Sequence, residues 1–135
     1  MADSFQLEIV TPEKMVVKTS AEEVQIPGKD GYLGVLPGHA PLITELGAGD
    51  MSYRSGAETQ HFAVGSGFAE VLPDRVIVLA ESAERPTEID VARARESKER
   101  AEKLLTSGDP QVDYPRAVLA VQRAEARIQV ASEKV

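Results

Sequence analysis

Few residues in this chain of 135 are of a type that carries chemistry. There is no Cys, which removes thiolate catalysis, disulfide staples and Cys-ligated zinc. A metal site built on either histidine, His39 or His61, needs carboxylate help, and nothing in the sequence has that spacing. No Gly-x-Ser-x-Gly elbow, carboxylate–histidine cluster or Walker lysine is present, so an enzyme is not expected. What remains is arginine. Arg123 and Arg127 are four apart and share one face of a helix, and Arg93 lies on an earlier one. Two chemistries are open to them. Their forked donors suit phosphate oxygens. Alternatively they form exposed ion pairs with Glu96, Glu125 or Glu88, each worth ~0–1 kcal/mol. Asp90 reads first as a first-turn acid favoured by the helix dipole.

The elements that must position these residues fall into two parts, divided near Pro86. Before it the hydrophobic pattern has period two: Phe5, Leu7 and Ile9 alternate with Gln6 and Glu8, and Val24 and Ile26 with Glu23 and Gln25. Short apolar runs follow at 32–36, 51–54, 60–64, 68–72 and 76–80. The turn signals between them are Pro27–Gly31, Pro37-Gly38, Gly47–Asp50, Ser55-Gly56, Gly65-Ser66-Gly67 and Pro73-Asp74. This spacing predicts an antiparallel β-sandwich over residues 1–86, with no parallel pairing because no helix lies between strands to carry a crossover. After Pro86 the composition turns to Ala, Glu, Arg, Lys and Leu, which favours helix. Thr87 is the expected N-cap of the first helix, with Asp90 at capping-box spacing. Ser107–Pro110 stops that helix, and a second begins near Asp113 with Pro115 in its first turn. Residues 87–135 therefore read as an antiparallel helical hairpin, giving an α+β chain in two parts. The helical stripes are Val91, Ala94, Ala101 and Leu105 on one side and Ala117, Val121, Ala124, Ile128 and Ala131 on the other. Small side chains bury little area, so the hairpin is expected to be held more weakly than the sandwich.

Charge follows the same division. Residues 1–85 carry 13 acidic against 6 basic side chains, and residues 86–135 carry nine of each, for a net charge of −7. An acidic front part excludes nucleic acid as its partner, since phosphate backbones require a basic face. No run approaches the ~18 apolar residues of a membrane span, and the first residues lack a signal peptide's basic and apolar regions.

The segment Leu33-Gly34-Val35-Leu36-Pro37-Gly38-His39-Ala40-Pro41-Leu42, within Ile26–Thr44, resembles the most recognisable stretch of the epsilon subunits of bacterial F-type ATP synthases. Gly65–Val71, Val78–Glu81, Asp113-Tyr114 and Arg123-Ala124 match that family as well, and the resemblance runs from about Phe5 to Ala131. The resemblance implies a non-catalytic subunit, peripheral to the cytoplasmic face of the membrane. It implies binding to gamma and to the c-ring, so that ring rotation is coupled to the catalytic head. It also implies a hairpin that extends toward the alpha and beta subunits and inhibits ATP hydrolysis. By the same resemblance His39 lies near gamma, and Lys29, Asp30, Gly31 and Tyr32 near the c-ring. Tyr32 stands where some relatives carry an acid.

The stretch Ile89-Asp90-Val91-Ala92-Arg93-Ala94 is similar to the ATP-binding motif of some of these subunits. The resemblance assigns Ile89, Asp90, Arg93, Ala94, Arg123 and Arg127, with Glu84 just before the hairpin, to one regulatory ATP; no cofactor is required. In that reading the guanidiniums neutralise the triphosphate, Asp90 accepts from the adenine amino group or a ribose hydroxyl, and Ala94 leaves room for the base. A free-standing nucleotide-sensing adaptor of the same fold is the alternative reading.

Overall fold

The computed structural model describes residues 3–133. Eight strands come first: β1 (Phe5–Val10), β2 (Met15–Ala21), β3 (Glu23–Gly28), β4 (Gly31–Val35), β5 (Leu42–Leu46), β6 (Gly49–Ser55), β7 (Glu58–Val71) and β8 (Arg75–Glu84). A 3₁₀ turn at Pro86–Glu88 leads into α1 (Val91–Thr106) and α2 (Tyr114–Ala131).

The alternation in β1 is realised directly: Phe5, Leu7 and Ile9 are buried and Gln6 is exposed. Strand order is β2-β1-β8-β7-β5-β3-β4, with β6 pairing both β3 and β7. Strand β7 is long enough to serve two neighbours. Its first half pairs with β6, from Glu58↔Ser55 to Val64↔Gly49, and its second with β5, from Gly67↔Leu46 to Val71↔Leu42. Because β5 and β6 both lead back to β3, the strands close around one core, whose largest fully buried side chains include Phe62, Leu7, Ile9, Ile26 and Met51.

The Gly65-Ser66-Gly67 signal is therefore not a turn between two strands. It is the corner at which one continuous strand changes partner, with Ser66 at φ 40° and Gly67 at φ 133°. A Cβ on Gly67 would lie 2.0 Å from the Leu79 carbonyl oxygen, so only glycine fits there. One pairing departs from the antiparallel expectation: β1 runs parallel to β8, from Gln6↔Arg75 to Val10↔Leu79. The six intervening strands make that crossover, which needs length rather than a helix.

The hairpin begins later than Thr87. Pro86 and Thr87 lie in the 3₁₀ turn, Ile89 is extended, and Asp90 is the N-cap, its Oδ1 accepting from Arg93 N at 3.1 Å. Burial of Ile89 explains the delay, because an extended residue there lets its side chain enter a cluster with Ala63, Val130 and Ala131. Gly108, at φ 71°, ends α1 after its Ser107 cap, and Asp113 caps α2 in the same way as Asp90 caps α1.

The inner helix is α2. It packs on α1 and also against β6 and β7, whereas α1 packs chiefly on α2. Its fully buried side chains are Ala117, Ala124, Ala126, Val130 and Ala131, with Ala94 and Ala101 on α1. Val121 and Ile128 are only half-buried; Ala126 and Val130 belong to a second stripe needed because α2 has two partners. Only one of the seven buried helical side chains is larger than Ala. Each large side chain of the sandwich core is worth ~1.5–3 kcal/mol of burial, so the hairpin is the weakly held part.

Candidate functional site

The residues that sequence reasoning singled out lie in two regions. The first is where the hairpin meets the sandwich. Arg85 closes β8 with its guanidinium carbon 4.8 Å from the centre of the Phe62 ring, and its Nη2 donates to the Val16 carbonyl at 3.4 Å. Its backbone N–H donates to Glu88 Oε1 at 2.9 Å, so Glu88 braces the connector rather than pairing with an arginine of the hairpin. The last sandwich residue is thus pinned immediately before the helical part starts.

Beyond it, α2 aims two guanidiniums at the β7 corner and the end of β8. Arg127 Nε donates to Glu84 Oε1 at 2.6 Å. Arg123 Nη2 donates to Ser66 Oγ at 3.3 Å and lies 3.9 Å from Glu81 Oε2. The Arg123 stem lies directly over Gly65, where a Cβ would meet its Nε at 3.5 Å and its Cγ at 3.6 Å, ordinary packing distances. Glu84, Arg123 and Arg127 are thereby brought together, with Ser66 and Glu81 added to them.

The motif on α1 is placed differently. Ile89 is buried in the small cluster, Asp90 spends one oxygen on its own helix, Ala94 is buried, and Arg93 is exposed. The cleft between Ala63, Val64, Gly65, Ser82, Arg123 and Arg127 measures only about 10 Å³, room for about one water. In this closed arrangement Arg127 is paired with Glu84, and Arg123 lies at the edge of ion-pair distance from Glu81. Ser66 and Glu81 carried no chemical signal in the sequence beyond their places in Gly65-Ser66-Gly67 and Val78–Glu81.

The second region holds Lys29, Asp30, Gly31, Tyr32 and His39, which fall at two places rather than one. Lys29 and Asp30 form the tip of the β3–β4 hairpin, with Gly28 paired to Gly31. Lys29 Nζ lies 3.5 Å from Glu45 Oε2, both side chains largely exposed. Tyr32 is exposed, but its hydroxyl accepts from Asp50 N at 3.1 Å. His39 sits past the opposite end of β4, in a turn closed by His39 N donating to Leu36 O at 3.2 Å. That turn is fastened to the β7–β8 turn by Gly38 N donating to Pro73 O at 2.8 Å.

Between these ends the outer face of β5, β7 and β8 is a checkerboard. Paired rows read Ile43, Glu70, Ile77 and Glu45, Phe68, Leu79. Ile43, Phe68 and Leu79 are each more than half exposed. Glu45 and Glu70 lie among these apolar side chains, so the exposed face mixes hydrophobic groups with carboxylates.

The β-sandwich domain of the ATP synthase Delta/Epsilon chain matches residues 4–86, and the long α-helix domain of the same chain matches residues 87–132. The chain belongs to the ATP synthase delta/epsilon family. Within it, its similarity is to bacterial epsilon chains. That of Koribacter versatilis is 64% identical over 111 residues, covering 82% of this chain and 78% of the relative. Those of Moorella thermoacetica and Solibacter usitatus are 50% and 46% identical, over 95% and 99% of this chain and 96% and 100% of theirs. The fold also matches a chain in the cryo-EM structure of Euglena gracilis mitochondrial ATP synthase containing OSCP, F1 and c-ring. The TM-score is 0.85 at 20% identity, covering 98% of this chain and 84% of that one. No helix of the described residues is long and apolar enough to cross a membrane. Membership of the epsilon family gives the two regions different meanings: an exposed face on the sandwich, and a hairpin closed onto it by arginine–carboxylate contacts.

Proposed function

We propose that this chain is a non-catalytic stalk subunit. Its sandwich docks gamma and the c-ring at the cytoplasmic face of the membrane and so couples ring rotation to the catalytic head. Its hairpin is a detachable arm that restrains ATP hydrolysis by extending toward the alpha and beta subunits. The observation that carries this reading is the checkerboard face. Ile43, Phe68 and Leu79 remain exposed on a sandwich already supplied with its own core, while α2 covers a different part of it. The sequence resemblance puts gamma beside His39 and the c-ring beside Lys29, Asp30, Gly31 and Tyr32, at the two ends of β4 that flank this face.

Regulation by ATP is part of the proposal. The nucleotide's phosphates compete with Glu84 for Arg127 and with Ser66 and Glu81 for Arg123, and ATP then bridges the hairpin to the sandwich. At 100 times its dissociation constant a ligand of the folded hairpin adds about 2.7 kcal/mol to that state. Binding makes ATP a regulator and not a substrate.

The test is ATP hydrolysis by the reconstituted complex with the whole chain or with a truncation after Arg85, which keeps the Arg85–Phe62 contact. Higher activity with the truncation is expected, and unchanged activity removes the restraining role. Phe68→Asp in the whole chain is expected to abolish recovery of gamma from a membrane extract; full recovery removes the docking face.

A further inference from the structure

Three groups distant in sequence meet where α2 ends. Asp50, on β6, is the one buried charged side chain among the described residues. Both of its carboxylate oxygens lie 3.0 Å from Nδ1 of His61 on β7. On the far side of the ring, His61 Nε2 faces Glu133 Oε2 at 3.7 Å, two residues beyond α2. Sequence spacing could not show this cluster, because its members come from three separate elements.

The orientation is informative. A neutral imidazole that donates its Nδ1–H to Asp50 presents the lone pair of Nε2 to Glu133. Two acceptors then face one another across a gap that calls for a positive charge. A histidine held by a carboxylate on one nitrogen and bare on the other is the usual arrangement of a metal-ligating histidine. The gap is also of the right size. Bonds of about 2.0–2.1 Å to nitrogen and oxygen span 3.7 Å at an angle of about 130°, and closing the gap by a few tenths of an ångström makes it tetrahedral. The remaining positions open into a cleft of about 530 Å³ lined by Glu58, Gln60, Thr87 and Arg85, with room for water ligands. Asp50, Glu58 and Glu133 outnumber the Arg85 guanidinium, which already rests on Phe62.

We propose that His61 Nε2 and Glu133 form a site for a divalent transition metal of the zinc class, with Asp50 positioning the imidazole. Bound there, the metal clasps the end of α2 to the sandwich and holds the hairpin closed. Imidazole with carboxylate suits zinc, whereas magnesium prefers all-oxygen sites and retains its water.

The experiment is a titration of the full chain with zinc chloride, followed by NMR of the two imidazole side chains and by amide exchange. A saturable one-to-one shift of His61 is expected with His39 unmoved, together with at least tenfold slower exchange at the end of α2. Magnesium should produce neither. Glu133→Gln, at an exposed position, should weaken zinc binding at least tenfold while leaving thermal unfolding in chelator unchanged. Asp50→Asn should weaken it by 10- to 100-fold. The proposal is overturned if His39 and His61 respond alike, or if Glu133→Gln binds as tightly as the parent. It also fails if zinc slows exchange at the end of α2 as much in Glu133→Gln as in the parent.

Discussion

Val130→Ala separates the stability of the hairpin from that of the sandwich. Val130 is fully buried and packs with Ala63, Ile89 and Ala131, bridging the end of α2 to β7 and to the residue before the α1 cap. The substitution removes two methyl groups from this contact. At ~0.8 kcal/mol per carbon, with a further contribution from the cavity left behind, the loss is about 2 kcal/mol. That corresponds to about 30-fold in the docking equilibrium. Most helical stability comes from packing of an apolar face, and α1 and α2 offer each other little beyond alanines, so an undocked hairpin frays. Native-state hydrogen exchange should show α1 and α2 amides exchanging about 30-fold faster, with the protected amides of β1, β7 and β8 unchanged. Val78→Ala, an equal deletion inside the sandwich core, should lower protection in both parts. Equal acceleration of sandwich and hairpin by Val130→Ala would refute a separately opening arm, as would no change in α2.

Arg123→Ala should abolish ATP binding by the isolated chain; a millimolar ATP titration of the parent that leaves the helix resonances unmoved rejects the site altogether. Gly67→Ala should cost at least about 3 kcal/mol, because it adds left-handed strain to a collision with the Leu79 carbonyl. Gly56→Ala, at φ 65° in open space, should cost only about 1 kcal/mol, and denaturant midpoints compare the two. Burial raises the pKa of Tyr53 above 10.0, Arg85 opposes that shift and Glu58 adds to it. The folded protein therefore keeps a proton that the unfolded chain gives up, and stability falls as pH rises through the window above 10.0. Ultraviolet titration should show Arg85→Met moving Tyr53 higher still.

Where one face of a strand meets the core and the other meets water, the sequence displayed it, as in Phe5, Leu7 and Ile9. Two strands gave no such pattern. Only Val17 and Ala21 are fully buried in β2, an edge strand paired solely with β1. In β5 apolar side chains are exposed on both faces, Ile43 on the outer one beside Glu45 and Leu42 at the strand's start on the other, so alternation is lost. The Thr87 cap was displaced because Ile89 gains more from burial than from helix. At the candidate site, helical spacing put Arg123 and Arg127 on one face, but their partners Ser66, Glu81 and Glu84 are set by the corner in β7 and the end of β8, which depend on tertiary structure. The Asp50–His61–Glu133 cluster was illegible for the same reason.

The helix that α1 leans on comes after it in the chain. During synthesis α1 emerges with nothing to pack against, while the whole sandwich is already available to fold. Docking waits for Val130 and Ala131, in the last turn of α2. The arm therefore fastens at its far end, like a buckle closed by the last hole of the strap. A substitution in that single turn loosens both helices together, whereas a substitution in the hairpin's distal loop leaves these contacts intact.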